Sequence, residues 1–233
     1  MRIEPEISGV SVVLLGNFNP AIFTPAWFSL HGLLARQAAD NANLRVAHPE
    51  LTAFSTEWLH LHVTTDRFQA ETQLAPHVRI ADLVVRVFRE HVYHTPVRAI
   101  GINRNIHFLA SSKTARDRLG KMLAPVEPWG ELAETLELAG DQNGLVSLAM
   151  RQSNPAGRPR GGQVNVKVEP SVKVGDGRLG VYVQVNDHYE IDPAVPDTDG
   201  REQLFGFLEN GFDSSVQRAE KIVDHIMSLA KVL

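Results

Sequence analysis

The chain has 233 residues, 43% of them hydrophobic and 21% charged, with 23 basic against 27 acidic side chains for a formal net charge of −4. That length suffices for a substantial core, as one large domain or two small ones, and the balance of charge gives no global attraction to nucleic acid or an anionic membrane. The absence of cysteine excludes disulfide scaffolds, thiolate metal sites, iron–sulfur clusters and cysteine nucleophiles.

The start, Met-Arg-Ile-Glu-Pro-Glu, has acidic residues where a secretory leader is basic, and its first apolar run, Val10 to Leu15, is short for one. No run approaches the ~20 apolar residues of a membrane span, so a cytoplasmic location and no membrane contact are expected. The β-branched run Gly9–Phe18 predicts a buried strand. Thr24-Pro25 opens a predicted helix over 25–39, with Trp27, Leu30, Leu33, Leu34 and Ala38 at helical spacing. Leu44–Val46 is a short strand. Glu57–Arg67 alternates at period two, with Leu59, Leu61 and Val63 on one face and Trp58, His60, His62 and Thr64 on the other; Phe68–Thr72 extends it or pairs with it.

Val78–His91 predicts an amphipathic helix through Ile80, Leu83, Val84, Val87 and Phe88, and Val97–Leu109 a strand. A helix is expected at 112–123, then a break at Ala124–Pro128, where the chain divides into an N-terminal α+β half (1–124) and a C-terminal sheet with a terminal helix (125–233). One continuous domain is the alternative to this division. Beyond the break, strands are predicted at Leu132–Leu138, Leu145–Gln152, Gln163–Val174 and Leu179–Ile191, with a turn at Gly175-Asp176-Gly177. A helix from about 201 presents Val216, Ala219, Ile222, Val223, Ile226, Leu229 and Leu233 on one face. Runs of strands closed by helices, without βαβ alternation, give an α+β fold of antiparallel sheets, each followed by a long amphipathic helix, in two similar halves.

Four clusters carry candidate chemistry. His60 and His62 stand two apart on a strand and so share a face, where two imidazoles hold one metal ion if Asp66, His107 or His188 completes the set; the alternative is an ordinary sheet surface. Asp187 and His188 are adjacent on a strand and point to opposite faces, which argues against an acid–base couple. Arg151, Arg158 and Arg160 lie in a Gly- and Pro-rich stretch free of acidic residues and could grip an anion, an acidic partner or, less readily, nucleic acid through the 151–162 loop. The rigid aromatic segment Asn17–Trp27 offers Phe18, Ile22, Phe23 and Trp27, together with Trp58, as a partner-binding corner, or else packs the first helix on the sheet. Ser111–Thr114 lacks the glycines of a phosphate loop, and no nucleophile elbow, dinucleotide turn or zincin helix is present.

The run Pro20-Ala21-Ile22-Phe23 with Trp27 four residues on resembles the early P-x-I-F-x-x-x-W stretch of SecB-type export chaperones. Ala81-Asp82-Leu83-Val84 and the run from Pro96 through Ile102-Asn103 to Phe108 are similar to that family's first long helix and following extended segment; residues from about 112 have no counterpart. The resemblance implies a four-stranded antiparallel sheet with helices on one face, assembly into tetramers, and apolar grooves that hold unfolded chains, with relatives that work beside toxin–antitoxin pairs. The whole chain also looks like uncharacterised bacterial conserved proteins sharing a G-I-N-R run, here Gly101 to Arg104. The expected function is a non-catalytic protein-binding or assembly protein, chaperone- or antitoxin-like, with another protein or its own copy as partner and no cofactor. The alternative is a metal-assisted hydrolase using His60 and His62.

Overall fold

The structure is a computed structural model that describes residues 4–137, 144–156, 158, 161–175, 179–192, 194 and 197–230. The β-branched run near the start forms β1 (Ile7–Gly16), buried from Gly9 to Leu14 because it lies mid-sheet between two partners. Next come two short helices, α1 (Pro25–Leu30) and α2 (Arg36–Asp40), and a four-stranded meander of β2 (Asn43–His48), β3 (Leu51–Ser55), β4 (His60–Thr64) and β5 (Arg67–Thr72). The first half ends with α3 (Val78–Arg86), which runs on as a wider helical turn through His91, and β6 (Val97–Leu109). The second contains α4 (Lys113–Leu123), α5 (Glu131–Glu137), β7 (Leu148–Ser153), β8 (Gln163–Pro170), β9 (Gly180–Glu190) and α6 (Asp197–Leu229).

The strands join one nine-stranded sheet in the order β2-β3-β4-β5-β1-β6-β9-β8-β7, antiparallel in every pairing. The fold is therefore α+β, but its strands do not form separate sheets. β6 and β9, from either side of residue 124, pair from Ala99↔Glu190 to Leu109↔Gly180. A crossover sets the order: β1 sits between β5 and β6, so the hairpin ladder β2–β5 lies to one side and β9-β8-β7 to the other.

Two predicted elements differ. The helix expected over 25–39 stops at His31, where Gly32 takes φ +63°. Gly32 N–H donates to Ser29 O (3.0 Å) and Leu33 N–H to Phe28 O (2.8 Å), a Schellman closure. Leu33 and Leu34, read as helix-face residues, reach the core from the loop that follows. The strand expected at Leu132–Leu138 is instead helical over Glu131–Glu137. Glu, Ala and Leu are strong helix formers, and Gly130 at φ +60° ends the preceding turn.

Helices α1, α3, α4 and α6 pack on one face of the sheet. The larger core cluster sets Val10, Val12 and Leu14 of β1 and Phe68 of β5 against Ile80, Val84 and Phe88 of the α3 region and Phe205 and Leu208 of α6. The second packs Val164 and Val168 of β8 and Val181, Val183 and Val185 of β9 beneath Ala115 and Leu119 of α4 and Val223 and Met227 of α6. The 33-residue α6 thus spans both clusters and ties the sheet together lengthwise. No sheet residue on the opposite face belongs to either cluster.

Candidate functional sites

The aromatic corner is internal. Phe18 and Phe23 are buried, Phe23 with Phe68 edge-on at 5.3 Å, while Ile22, Trp27 and Trp58 pack half-buried against the same cluster. The Arg79 guanidinium lies 4.1 Å over the Trp58 ring. The segment between β1 and α1 packs under the sheet's covered face because its aromatic rings bury large apolar surface there.

Arg151 and Arg158 do not converge. Arg151 Nε donates to Asn165 Oδ1 (2.8 Å) on the uncovered face. Arg158 is buried on the other side, donating from Nε (2.8 Å) and Nη2 (2.6 Å) to Asp187 Oδ2 and from Nη2 to Ser215 Oγ (3.0 Å). Arg160 lies outside the described residues. Asp187 and His188 point to opposite faces, as strand geometry requires: Asp187 meets Arg158 while His188 joins the uncovered face.

That uncovered face collects residues the sequence presents separately. Across neighbouring strands the register aligns Ser55, His60, Glu71, Ser11, Asn103, Asn186, Asn165 and Arg151 in one transverse row, every position polar. His62, Gln69 and His188 stand in the next row. His60 and His62 are exposed there, and among the described residues no group of three or more His, Asp or Glu is placed to hold a metal ion.

The middle of this face is sunken. Ser11 and Asn103 are only 2% and 5% exposed although no helix covers them, because taller side chains on β5 and β9 stand on either side. The hollow measures about 370 Å³. Its polar groups are held in place: Tyr182 Oη (2.9 Å) and Gln184 Nε2 (3.2 Å) both donate to Asn105 Oδ1, which fixes that amide's orientation. Ser171 Oγ accepts from the backbone N–H groups of Lys173 and Val174, so its own proton goes to His107 Nδ1 (2.8 Å). Nε2 of His107 then carries the ring's hydrogen, and burial, aided by Lys173, lowers its pKa to about 4, leaving the ring neutral. Burial pushes the Tyr182 phenol up to about 12.

A second concavity, of about 830 Å³, opens on the helix-covered face at the far end of the sheet. Its walls are α4, the turn at Trp129, α5, residues 144–147 and the start of β7, with Met122, Trp129, Leu132, Leu136, Leu145 and Leu148 as the main apolar lining. Met122, Trp129, Leu132 and Val146 are among the most exposed large apolar residues, and Met150 beside them on β7 is 64% exposed. β7 is the last strand of the sheet, and no strand among the described residues pairs with its outer edge. A strand prediction at 132–138 hides this groove, since only a helix there encloses it. The hollow was legible in part: period-two reading of Val97–Leu109 sets Asn103, Asn105 and His107 on one side.

The G-I-N-R run now has four distinct roles. Gly101 leaves room for Asn186 Oδ1, Ile102 enters the core, Asn103 faces the hollow, and Arg104 is buried under α6. Arg104 donates to Glu220 Oε1 (2.7 Å), Gly9 O (3.0 Å) and Ser8 Oγ (2.8 Å), joining β6, β1 and α6. No known family matches the sequence, and no curated protein matches it either.

Proposed function

We propose that the protein is a cytoplasmic, non-catalytic binding protein that holds extended segments of other polypeptides, in the manner of a chaperone. The carrying observation is the apolar groove opening beside the unpaired edge of β7. An extended chain satisfies the outward backbone N–H and C=O groups of β7 by adding a strand, and lays alternate side chains beside Leu148 and Met150 toward the groove. β2, at the other end of the sheet, is less suited, because a bulge between Leu44 and Val46 breaks its ladder, whereas β7 pairs regularly with β8. The groove's rim bears Arg116, Arg118 and Lys121 together with Asp117 and Glu169. The binding half is then the outer part of the sheet with α4 and α5, and the ladder β2–β5 with α3 is its rigid support.

The test is hydrogen exchange on the full chain with a permanently unfolded probe, reduced and carboxymethylated α-lactalbumin. Saturable binding should protect the amides of β7 and blue-shift the emission of Trp129, which is 61% exposed. Leu132→Glu and Met122→Glu, both at exposed positions, should each weaken binding about tenfold, the loss of ~1.4 kcal/mol expected when an apolar contact becomes a charge. Protection confined to β2, or affinity unchanged in both variants, overturns the reading. A dimer in which β7 is already protected without probe overturns it too, in favour of a second copy as the occupant.

A further inference from the structure

The hollow on the opposite face of the sheet meets the peptide groove only at Glu169 and Pro170 and differs from it in chemistry. We propose that it is a binding site for a neutral polyhydroxylated ring of about monosaccharide size, seated over Ser11, Asn103, Asn105, His107, Tyr182 and Gln184.

Charge selects the class. The charged residues lining the hollow cancel in sign, Arg67 and Lys173 against Glu71 and Glu169; Arg67 Nη2 donates to Gln69 Oε1 (2.9 Å), Gln69 Nε2 to Glu71 Oε2 (3.3 Å), and Lys167 reaches Glu169 from outside the hollow (2.7 Å). His107 and Tyr182 remain uncharged through the neutral pH range. The floor consequently offers no net charge to an anion or cation, and an apolar ligand would strand its amides and hydroxyls without partners. A ring of hydroxyls, each both donor and acceptor, meets a floor of the same dual character.

Satisfaction of the floor is incomplete. Asn105 Nδ2 reaches Ser11 Oγ only at 3.5 Å, and Asn103 Nδ2 reaches the Gly101 carbonyl at the same limiting distance. The anchored groups do not need to rearrange, since Tyr182 and Gln184 hold Asn105 and Ser171 holds His107. A hollow of about 370 Å³ is at the small end for ligand sites, which fits one ring and excludes a folded partner.

The experiment is NMR titration of the full chain with D-glucose, D-galactose, D-ribose and myo-inositol, with inorganic phosphate as the charged comparison. At least one polyol should bind saturably and shift the side-chain amide signals of Asn103, Asn105 and Gln184. Asn103→Leu and the milder Ser11→Ala should each weaken that binding by about tenfold or more; Ser11→Ala keeps the test valid if the leucine variant fails to fold. Absence of binding by all four polyols, shifts produced by phosphate instead, or unchanged affinity in Ser11→Ala overturns the assignment. Because the probe and the face differ from those of the peptide groove, either proposal fails without the other.

Discussion

Arg158 shows how a residue's neighbours decide its use. In the sequence it is one of three arginines in a flexible basic stretch; in the fold its guanidinium is 5% exposed against Asp187 at 4%, with Ser215 as a further acceptor and the Phe207 ring 5.2 Å away. Two charges that deep are worth little as a pair relative to an apolar replacement, but removing one leaves the other uncompensated. Arg158→Ala should therefore cost about 3–5 kcal/mol by urea denaturation, and Arg158→Met with Asp187→Leu should restore most of it. If the single and double variants lose equal stability, the pair is not what holds this loop to β9. Arg104 obeys the same logic: its three acceptors lie on β1 and α6, so one side chain fixes sheet and helix together.

At the scale of elements, what ends a strand or helix matters as much as what fills it. β1 ends at Gly16, where the register to β6 shifts and Asn17 N–H donates to Pro96 O (3.0 Å). A β-carbon at Gly16 would stand 2.1 Å from that same carbonyl oxygen. The clash is with backbone just before β6 and cannot be relieved by a rotamer change. Gly16→Ala should lower stability by roughly 2 kcal/mol or more, whereas Gly206→Ala on α6, with nothing within 4 Å, should be neutral or stabilising by up to about 1 kcal/mol. Similar midpoints for the two variants in urea would show that β1 can shift here. Sequence periodicity placed β4, β6, α3, α4 and α6 close to their true positions, because each carries a long enough amphipathic pattern. It missed α5, since Leu132–Leu138 is too short for period two and period 3.6 to be told apart, and with α5 it missed one wall of the groove.

At the scale of the molecule, a crossover makes the sheet continuous. β6 takes β1 on one edge and β9 on the other, and α6 covers strands from both sides of residue 124. A fragment of residues 1–124 would expose the edge of β6 and the face of Val10, Ile100 and Phe88 that α6 shelters. The full chain should unfold in urea in one cooperative transition and the fragment should show none; an independent cooperative transition in the fragment would establish two separate folding units.

Composition and patterning by themselves determined the α+β class, the absence of thiol chemistry, most of the strands and the long closing helix, because these depend on local alternation and on which residue types exist in the chain. Tertiary structure alone decided that Phe18 and Phe23 are core, that Arg158 is neutralised by Asp187, and that Ser11, Asn103 and Asn186 share one row. Those facts depend on strand order and register, and pairings between residues some ninety positions apart, such as Ser11 with Asn103, leave no trace in local periodicity.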